Sequence, residues 1–483
     1  MICPSIFNLS DNSNQRCPIF RRISQFCKQL FEDKTSTEEA KTEGLRLDVV
    51  PRKDHSISRR QISENALKVL YRLHKSGYKA YLVGGGVRDI LLGLAPKDFD
   101  VVTNATPEEI KRLFRNCRLV GRRFRLAHIV FGRDVIEVAT LRGHHVDSGE
   151  KVSKKNASGR LLRDNVYGTI DEDAERRDFT VNALYYDISD FSIRSYGGGL
   201  EDLASRTLRL IGDPQTRYRE DPVRMLRAVR FATKLDMQID ARAAKPIPGL
   251  AALLKGIPAA RMYEEVLKMF LSGKAQQNYN MMRELGLFSP LFPLIDAQLN
   301  EDKQAPISTL IDQVMKNTDQ RIKEEKPVTP AFFYAALLWY PLSQRADDIA
   351  LESGLSTYDA YYAAMGDIME QQCRSISIPR RFSSITKDIW QLQLRFERNR
   401  GTRAFKFMEH PKFRAAYDLL LLRAGAEGGA IAKQAAWWKS FVEGSEEQRT
   451  VIARSANKQS PRRRRSNQGR RRKPTNHQDT PST

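Results

Sequence analysis

Apolar positions follow two regimes along this chain. Short apolar runs alternate with helically spaced ones up to about Thr140, and beyond Ile257 helical spacing dominates. Ser58 to Gln61 has a capping-type pattern, and Ile62, Ala66, Leu67, Val69, Leu70 and Leu73 then share one face. The spacing predicts a helix that ends at Gly77. Tyr81-Leu82-Val83 reads as a buried strand, Gly84 to Gly86 follow, and Val87-Arg88-Asp89 opens an amphipathic helix with Ile90, Leu91 and Leu92. The chain returns as a strand, Asp98-Phe99-Asp100-Val101-Val102. Thr106-Pro107-Glu108-Glu109 starts another helix, with Pro where a helix tolerates it. Cys117–Val130 and Val135–Thr140 read as strands of one sheet. From Ile257 to Phe441 the chain reads as helical, with apolar clusters at Met262–Leu271, Ala331–Trp339 and Ala416–Leu422, and with Trp390, Trp437 and Trp438 as packing residues.

Chemistry concentrates where the first strands meet the glycines. Side chains alternate across a strand, so Asp98 and Asp100 share a face while Phe99 points to the core. Neighbouring carboxylates repel at neutral pH unless a cation lies between them. Oxygen-only ligands favour Mg²⁺, which commonly also takes substrate phosphates. The glycines let a triphosphate approach the backbone, and the following helix start favours anions. No Gly-Lys-Ser/Thr follows, and Asp89 stands where a dinucleotide fingerprint needs its third glycine. Glu137 sits in an otherwise apolar strand, either as a further carboxylate near the metals or as the partner of an Arg. His144 to Arg160 is a polar loop whose His144-His145 pair reads as a surface pair.

Further along, Arg224, Arg227 and Arg230 recur every three residues and form a drifting line on one helix side, next to Glu220-Asp221. Asp221 can only accept hydrogen bonds and Arg224 can only donate them. Side by side they match an amino group next to a ring nitrogen, as in adenine or cytosine, and reject guanine and uracil. The pair does not by itself separate ATP from CTP.

Charge widens the picture. The 483 residues carry 80 Lys/Arg against 58 Asp/Glu, a formal +22, which predicts attraction to a polyanion with strong salt dependence. Val451 to Thr483 holds ten Lys/Arg and one Asp, so the remaining chain still carries +13. This stretch, with Arg462–Arg465 and Arg470–Lys473, has too few apolar residues to fold and reads as a disordered arm for RNA. Near the other end, residues 19–31 have a basic amphipathic spacing suited to peripheral contact with an anionic membrane or to packing on protein. Cys3, Cys17, Cys27, Cys117 and Cys373 show no paired spacing, and no apolar run could span a bilayer. These features predict a soluble cytoplasmic protein.

The order strand, glycines, Arg-bearing helix and Asp-x-Asp strand resembles the head of the polymerase-beta nucleotidyltransferase superfamily, in the branch of CCA-adding enzymes and bacterial poly(A) polymerases. Glu175-Arg176-Arg177-Asp178-Phe179-Thr180-Val181-Asn182-Ala183 and Glu220-Asp221-Pro222-Val223-Arg224 are similar to two further motifs of that branch. The stretch Leu119–Ile129 resembles the segment that marks its poly(A) polymerases. The resemblance implies an α+β fold: an N-terminal mixed β-sheet nucleotidyltransferase head with flanking helices, an all-α neck, body and tail, and the basic arm. The corresponding boundaries are 1–55 for the N-terminal segment, 56–205 for the head, 206–255 for the neck, 256–452 for the RNA-binding body and tail, and 453–483 for the arm. It implies Asp98, Asp100 and Asp178 as catalytic carboxylates, with two Mg²⁺ on Asp98 and Asp100. It also implies Gly85, Arg88, Arg177, Asp221, Arg224, Arg227 and Arg230 as nucleotide contacts. The implied reaction adds AMP from ATP to the 3′ ends of mRNA and regulatory RNA, in company with RNA-degradation machinery. A CCA-adding tRNA nucleotidyltransferase and a non-catalytic basic RNA-binding protein are the alternatives.

Overall fold

The computed structural model describes residues 45–121, 125–143, 166–301 and 305–459. The amphipathic segment 19–31, Arg122–Phe124 of the stretch resembling poly(A) polymerases, the 144–160 loop and residues 460–483 of the arm lie outside the described residues; residues 453–459, expected to be disordered, instead continue the helix Glu446–Gln459.

An eight-stranded mixed sheet forms the core of the first half. Its strands are β1 (Leu47–Val50), β2 (Ala80–Val83), β3 (Asp100–Thr103), β4 (Cys117–Val120), β5 (Leu126–Phe131), β6 (Asp134–Thr140), β7 (Leu184–Asp187) and β8 (Ile193–Tyr196), in the order β1-β8-β7-β2-β3-β6-β5-β4. All neighbours are antiparallel except β3 and β6, which run parallel. A parallel pair needs a crossover, supplied by the helix Pro107–Leu113 and the β4–β5 hairpin. That helix starts as expected: Thr106 caps it, Glu109 closes the capping box and Pro107 occupies its first turn.

Three local expectations shift. The Ser58–Gln61 capping box forms, but on a 3₁₀ turn; the helix begins at Glu64 under its own cap, Ser63, and reaches Lys75. The first helix after β2 starts at Gly85, two residues early, and runs to Leu91. Strand β1 extends the sheet into the segment expected to precede the head, pairing with β8 from Leu47↔Tyr196 to Val50↔Ile193.

Within 206–255 the helix Val223–Leu235 is flanked by a short parallel pair, β9 (Thr207–Leu208) and β10 (Gln238–Ile239), so this part is not purely helical. The chain beyond Ile257 is helical throughout the described residues. Backbone proximity divides the chain into two units: Met1–Glu301 with Met315–Val328 and Glu370–Ile378, and Asp302–Val314 with Thr329–Met369 and Pro379–Thr483. In the second unit Trp390 and Trp438 are fully buried, their ring N–H groups donating to the carbonyls of Ala335 and Phe396, which confirms them as core. No helix among the described residues is long and apolar enough to cross a membrane.

Candidate active site

Strand register assembles the site. Val83, the last residue of β2, lies opposite Asp100 of β3 on one side and Tyr185 of β7 on the other. The glycines follow directly, the Gly84 N–H donating to the Leu184 carbonyl at 3.0 Å. Gly84 has a left-handed φ of 66°, and a Cβ there would lie 3.3 Å from Arg177 Nη1, so the position suits glycine twice over. A Cβ on Gly85 would lie 3.6 Å from Arg88 Nη2. Two guanidiniums therefore flank the glycine run.

Asp100 opens β3, while Asp98 precedes the strand rather than belonging to it, and Phe99 is half-buried rather than fully inside. The parallel register Val101↔Val138 sets Glu137 beside Asp100. Asp100 is open to solvent along one side yet surrounded by protein on the rest. That crowding, joined by the charges of Glu137 and Asp98 and only partly countered by Arg177, pushes its carboxyl up to about 6. Among the described residues the ion-pair partner of Glu137 is His128, not an Arg: its Nε2 lies 3.4 Å away on the neighbouring strand β5.

Arg177 follows the helix Ile170–Glu175 and reaches back over β7. Its Nε donates to Tyr185 Oη at 2.8 Å and its Nη2 to Asp173 Oδ2 at 3.1 Å, while Tyr185 Oη donates to the same Asp173 oxygen at 2.7 Å. Burial opposes its charge, but Tyr185 and Asp173 outweigh that and hold it firmly protonated.

A second network starts at Arg88, which is 2% exposed. Its Nε and Nη2 donate to Asp89 Oδ1 at 2.8 and 2.6 Å, and its Nη1 to Asn182 Oδ1 at 2.5 Å. Asn182 Nδ2 donates onward to Asp178 Oδ1 at 2.9 Å. Asp178 Oδ1 also accepts from the Phe179 N–H at 2.8 Å, and its Oδ2 pairs with Arg227 Nη2 at 2.6 Å. Burial alone would raise the Asp178 carboxyl; the Arg227 charge and these hydrogen bonds prevail and bring it down to about 2. Its oxygens are thus committed to Arg227, Asn182 and the backbone, not to the Asp98–Asp100 pair. The Phe231 ring lies under three guanidiniums, those of Arg88, Arg227 and Arg230, at 5.1, 5.1 and 4.6 Å from its centroid.

Asp221, Arg224, Arg227 and Arg230 are all half-buried while the residues between them are buried, so the expected line along one side of the helix Val223–Leu235 exists. The Arg224 N–H donates to the Asp221 carbonyl at 3.0 Å, while the two side chains take other partners. Asp221 Oδ2 takes Arg261 Nη2 at 2.8 Å, and Arg224 Nη1 donates to Glu220 Oε2 at 3.0 Å. Both side chains are half-buried and not enclosed. Arg230 Nε faces Glu265 Oε2 at 3.9 Å, and neither atom has a hydrogen bond. Asn182, Arg261 and Glu265 were not singled out from sequence. Asn182 stood inside a quoted motif, whereas Arg261 and Glu265 share a helix (Ala259–Phe270) whose spacing signals only burial.

Asp98 and Asp100 offer hard oxygen donors, and burial together with the charges of Glu137 and Asp98 opposes an unneutralised Asp100 carboxylate, so the residues present suit a divalent cation such as Mg²⁺. Among the described residues no three His, Cys, Asp or Glu are grouped to hold a metal. A site of this kind binds its ion with help from substrate oxygens.

The chain matches the family models Poly A polymerase head domain over residues 80–209, Probable RNA and SrmB-binding site of polymerase A over 236–299, and Polymerase A arginine-rich C-terminus over 353–473. It is 54% identical to poly(A) polymerase I of Salmonella typhimurium, over 93% of this chain and 97% of that one. Identity to poly(A) polymerase I of Haemophilus influenzae is 47%, over 86% and 92%. A CCA-adding enzyme of Lactobacillus helveticus is 34% identical over 49% of this chain and 54% of its own. Among solved structures, one titled tRNA-processing enzyme complex 3 superposes with a TM-score of 0.53 at 21% identity, covering 80% of this chain and 99% of that one; this likeness concerns the fold.

Proposed function

The chain belongs to the poly(A) polymerase I family and adds AMP residues from ATP to RNA 3′ ends without a template; we propose that the groups around Gly84 and Gly85 carry out that transfer. The observation that supports this most is the register that sets Asp100 and Tyr185 on either side of Val83, with the glycines following it.

In this reading Asp98 and Asp100 would hold two Mg²⁺ ions, which would supply charge neutralisation for the triphosphate and favour the deprotonated RNA 3′-hydroxyl. Gly85 gives the phosphates access to backbone, and Arg88 and Arg177 supply fixed positive charge on either side of them. Asp178 completes the carboxylate set by holding Arg227 and Asn182 in place. Asp221 accepts from the exocyclic amino group of the base and Arg224 donates to its ring nitrogen, while Arg227 and Arg230 balance phosphate charge. In-line attack of the 3′-oxygen on the α-phosphorus forms the new phosphodiester and expels pyrophosphate. Residues 453–483 add electrostatic hold on the RNA, on mRNA and regulatory RNA alike, in the cytoplasm and ahead of RNA-degrading enzymes. The family-model match over 236–299 and the +22 charge support the RNA part of this reading.

Primer extension tests it. Purified protein with Mg²⁺ and either ATP or CTP is given an oligoadenylate primer or a tRNA lacking its CCA end. Long ATP-dependent ladders on the oligoadenylate are expected. Short CTP-dependent addition confined to the tRNA would overturn the reading in favour of a CCA-adding activity.

A further inference from the structure

Behind the phosphate side of the site, three successive carbonyls converge on one donor. The helix Ile170–Glu175 ends there, and the carbonyls of Glu175, Arg176 and Arg177 accept from Arg217 Nη2 at 3.4, 2.9 and 2.7 Å. A basic side chain on a helix's last carbonyls is common, but this one arrives from 40 residues downstream of Arg177. The fold makes room for it at Gly212, whose φ is 81° and where a Cβ would lie 3.3 Å from Arg217 Cδ and 3.4 Å from Cγ.

The other branch of the same guanidinium reaches the base-reading side. Arg217 Nη1 donates to Glu220 Oε2 at 2.9 Å, and that oxygen also accepts from Arg224 Nη1 at 3.0 Å. Arg224 Nη1 donates in addition to the Arg217 carbonyl at 2.9 Å. Burial and the neighbouring Arg224 charge oppose the Arg217 cation, and Glu220 only partly offsets them. A cation buried on backbone dipoles, sharing its carboxylate with a second Arg, is an expensive way to terminate a six-residue helix. It is a direct way to connect two sides of a site.

We propose that Arg217 is a positioning residue that couples the reading of the base at Asp221 and Arg224 to the placement of Arg177 beside the triphosphate. The proposal rests on the assignment of Asp221 and Arg224 as base readers. Arg217 fixes the Arg177 carbonyl, and the Ile211 N–H fixes the Asp178 carbonyl at 2.9 Å, so the peptide between them is held at both flanks. Arg177 in turn lies against Gly84 and within electrostatic reach of Asp100. A base that pairs poorly displaces Arg224, and the displacement passes through Glu220 and Arg217 to the phosphate side. Discrimination between bases therefore appears in kcat as well as in KM.

The test is steady-state addition of a first nucleotide to oligoadenylate, with ATP and with CTP, for wild type, Arg217→Lys and Gly212→Ala. Lysine keeps the charge but cannot fork between the carbonyls and Glu220; an alanine at 212 crowds the stem of an intact Arg217. Both variants are expected to lower kcat for ATP by about tenfold or more, as misplacements of about 1 Å do. The ATP-to-CTP ratio of kcat should fall towards one, the ratio of KM should stay within about twofold of wild type, and RNA affinity should not change. Equal losses of kcat for both nucleotides, or a lowered Tm with the kcat ratio intact, would reduce Arg217 to a structural residue and overturn the proposal. If one variant fails to fold, the other decides. Arg224→Ala is the control for the premise: a KM ratio unaltered in that variant would show that the base is read elsewhere, and the coupling would fall with it.

Discussion

Asp100 and Asp178, both assigned to the proposed site, stand in opposite electrostatic settings. Burial, joined by the neighbouring carboxylates of Glu137 and Asp98, pushes the Asp100 carboxyl up to about 6; against the same burial, Arg227, Asn182 and a backbone N–H bring Asp178 down to about 2. The first is a charge waiting for a cation from outside the chain, and the second has received its cation from within it. Stability and catalysis thus separate at the level of single carboxylates. On the proposed assignment, the charge of Asp100 works against the fold, whereas that of Asp178 favours it.

The largest contrast should appear in turnover. Asp100→Asn or Asp98→Asn should abolish incorporation, by about a thousandfold or more, while a binding titration finds RNA affinity nearly unchanged. Near-normal turnover in either variant would end the metal assignment. Thermal melts in chelator should then divide the pair: Asp178→Asn loses about 2–3 kcal/mol because it leaves Arg227 short of its charge partner, and Asp100→Asn holds or gains stability. A loss of equal size in both would erase the comparison.

The pH windows run in opposite directions as well. Asp178 has a lowered folded-state pKa, so its contribution is complete above 3.8 and disappears as pH falls towards about 2. Asp100 has a raised one, so the folded state holds its proton more tightly and stability declines as pH rises from 3.8 to about 6. The difference in Tm between wild type and Asp100→Asn should open across that interval. Activity should rise with pH through about 6 and this limb should move to lower pH as Mg²⁺ is increased, since metal and proton compete for the same oxygens. The smallest effect belongs to Phe231→Leu, which keeps bulk but removes the face beneath three guanidiniums. It should cost about 1 kcal/mol, read as a severalfold higher KM for ATP.

Local chemistry was legible in the sequence, and action at a distance was not. Glycines, Asp98, Asp100 and the three-residue spacing of Arg224, Arg227 and Arg230 were visible because strand and helix periods convert spacing into position. The pairing of Asp178 with Arg227 and of Arg88 with Asn182 has no such period, since the partners are 49 and 94 residues apart. Arg217 showed at most its i,i+3 pairing with Glu220; its other acceptors are backbone carbonyls, which every residue carries. Strand β1 escaped for a different reason: Leu47 and Val49 are 39% and 48% exposed, so an edge strand of four residues lacks the alternation of a half-buried one.

Arg88 also carries a consequence for how the protein is made. Its buried guanidinium needs Asn182, and the open side of β2 needs β7, which begins at Leu184. At roughly 5–20 residues per second, a ribosome takes about 5–20 s to synthesise the intervening 94 residues. For that interval the nascent head has an unpaired strand edge and a helix that cannot dock. A chain arrested before Asn182 would be a substrate for proteases, not a partial polymerase.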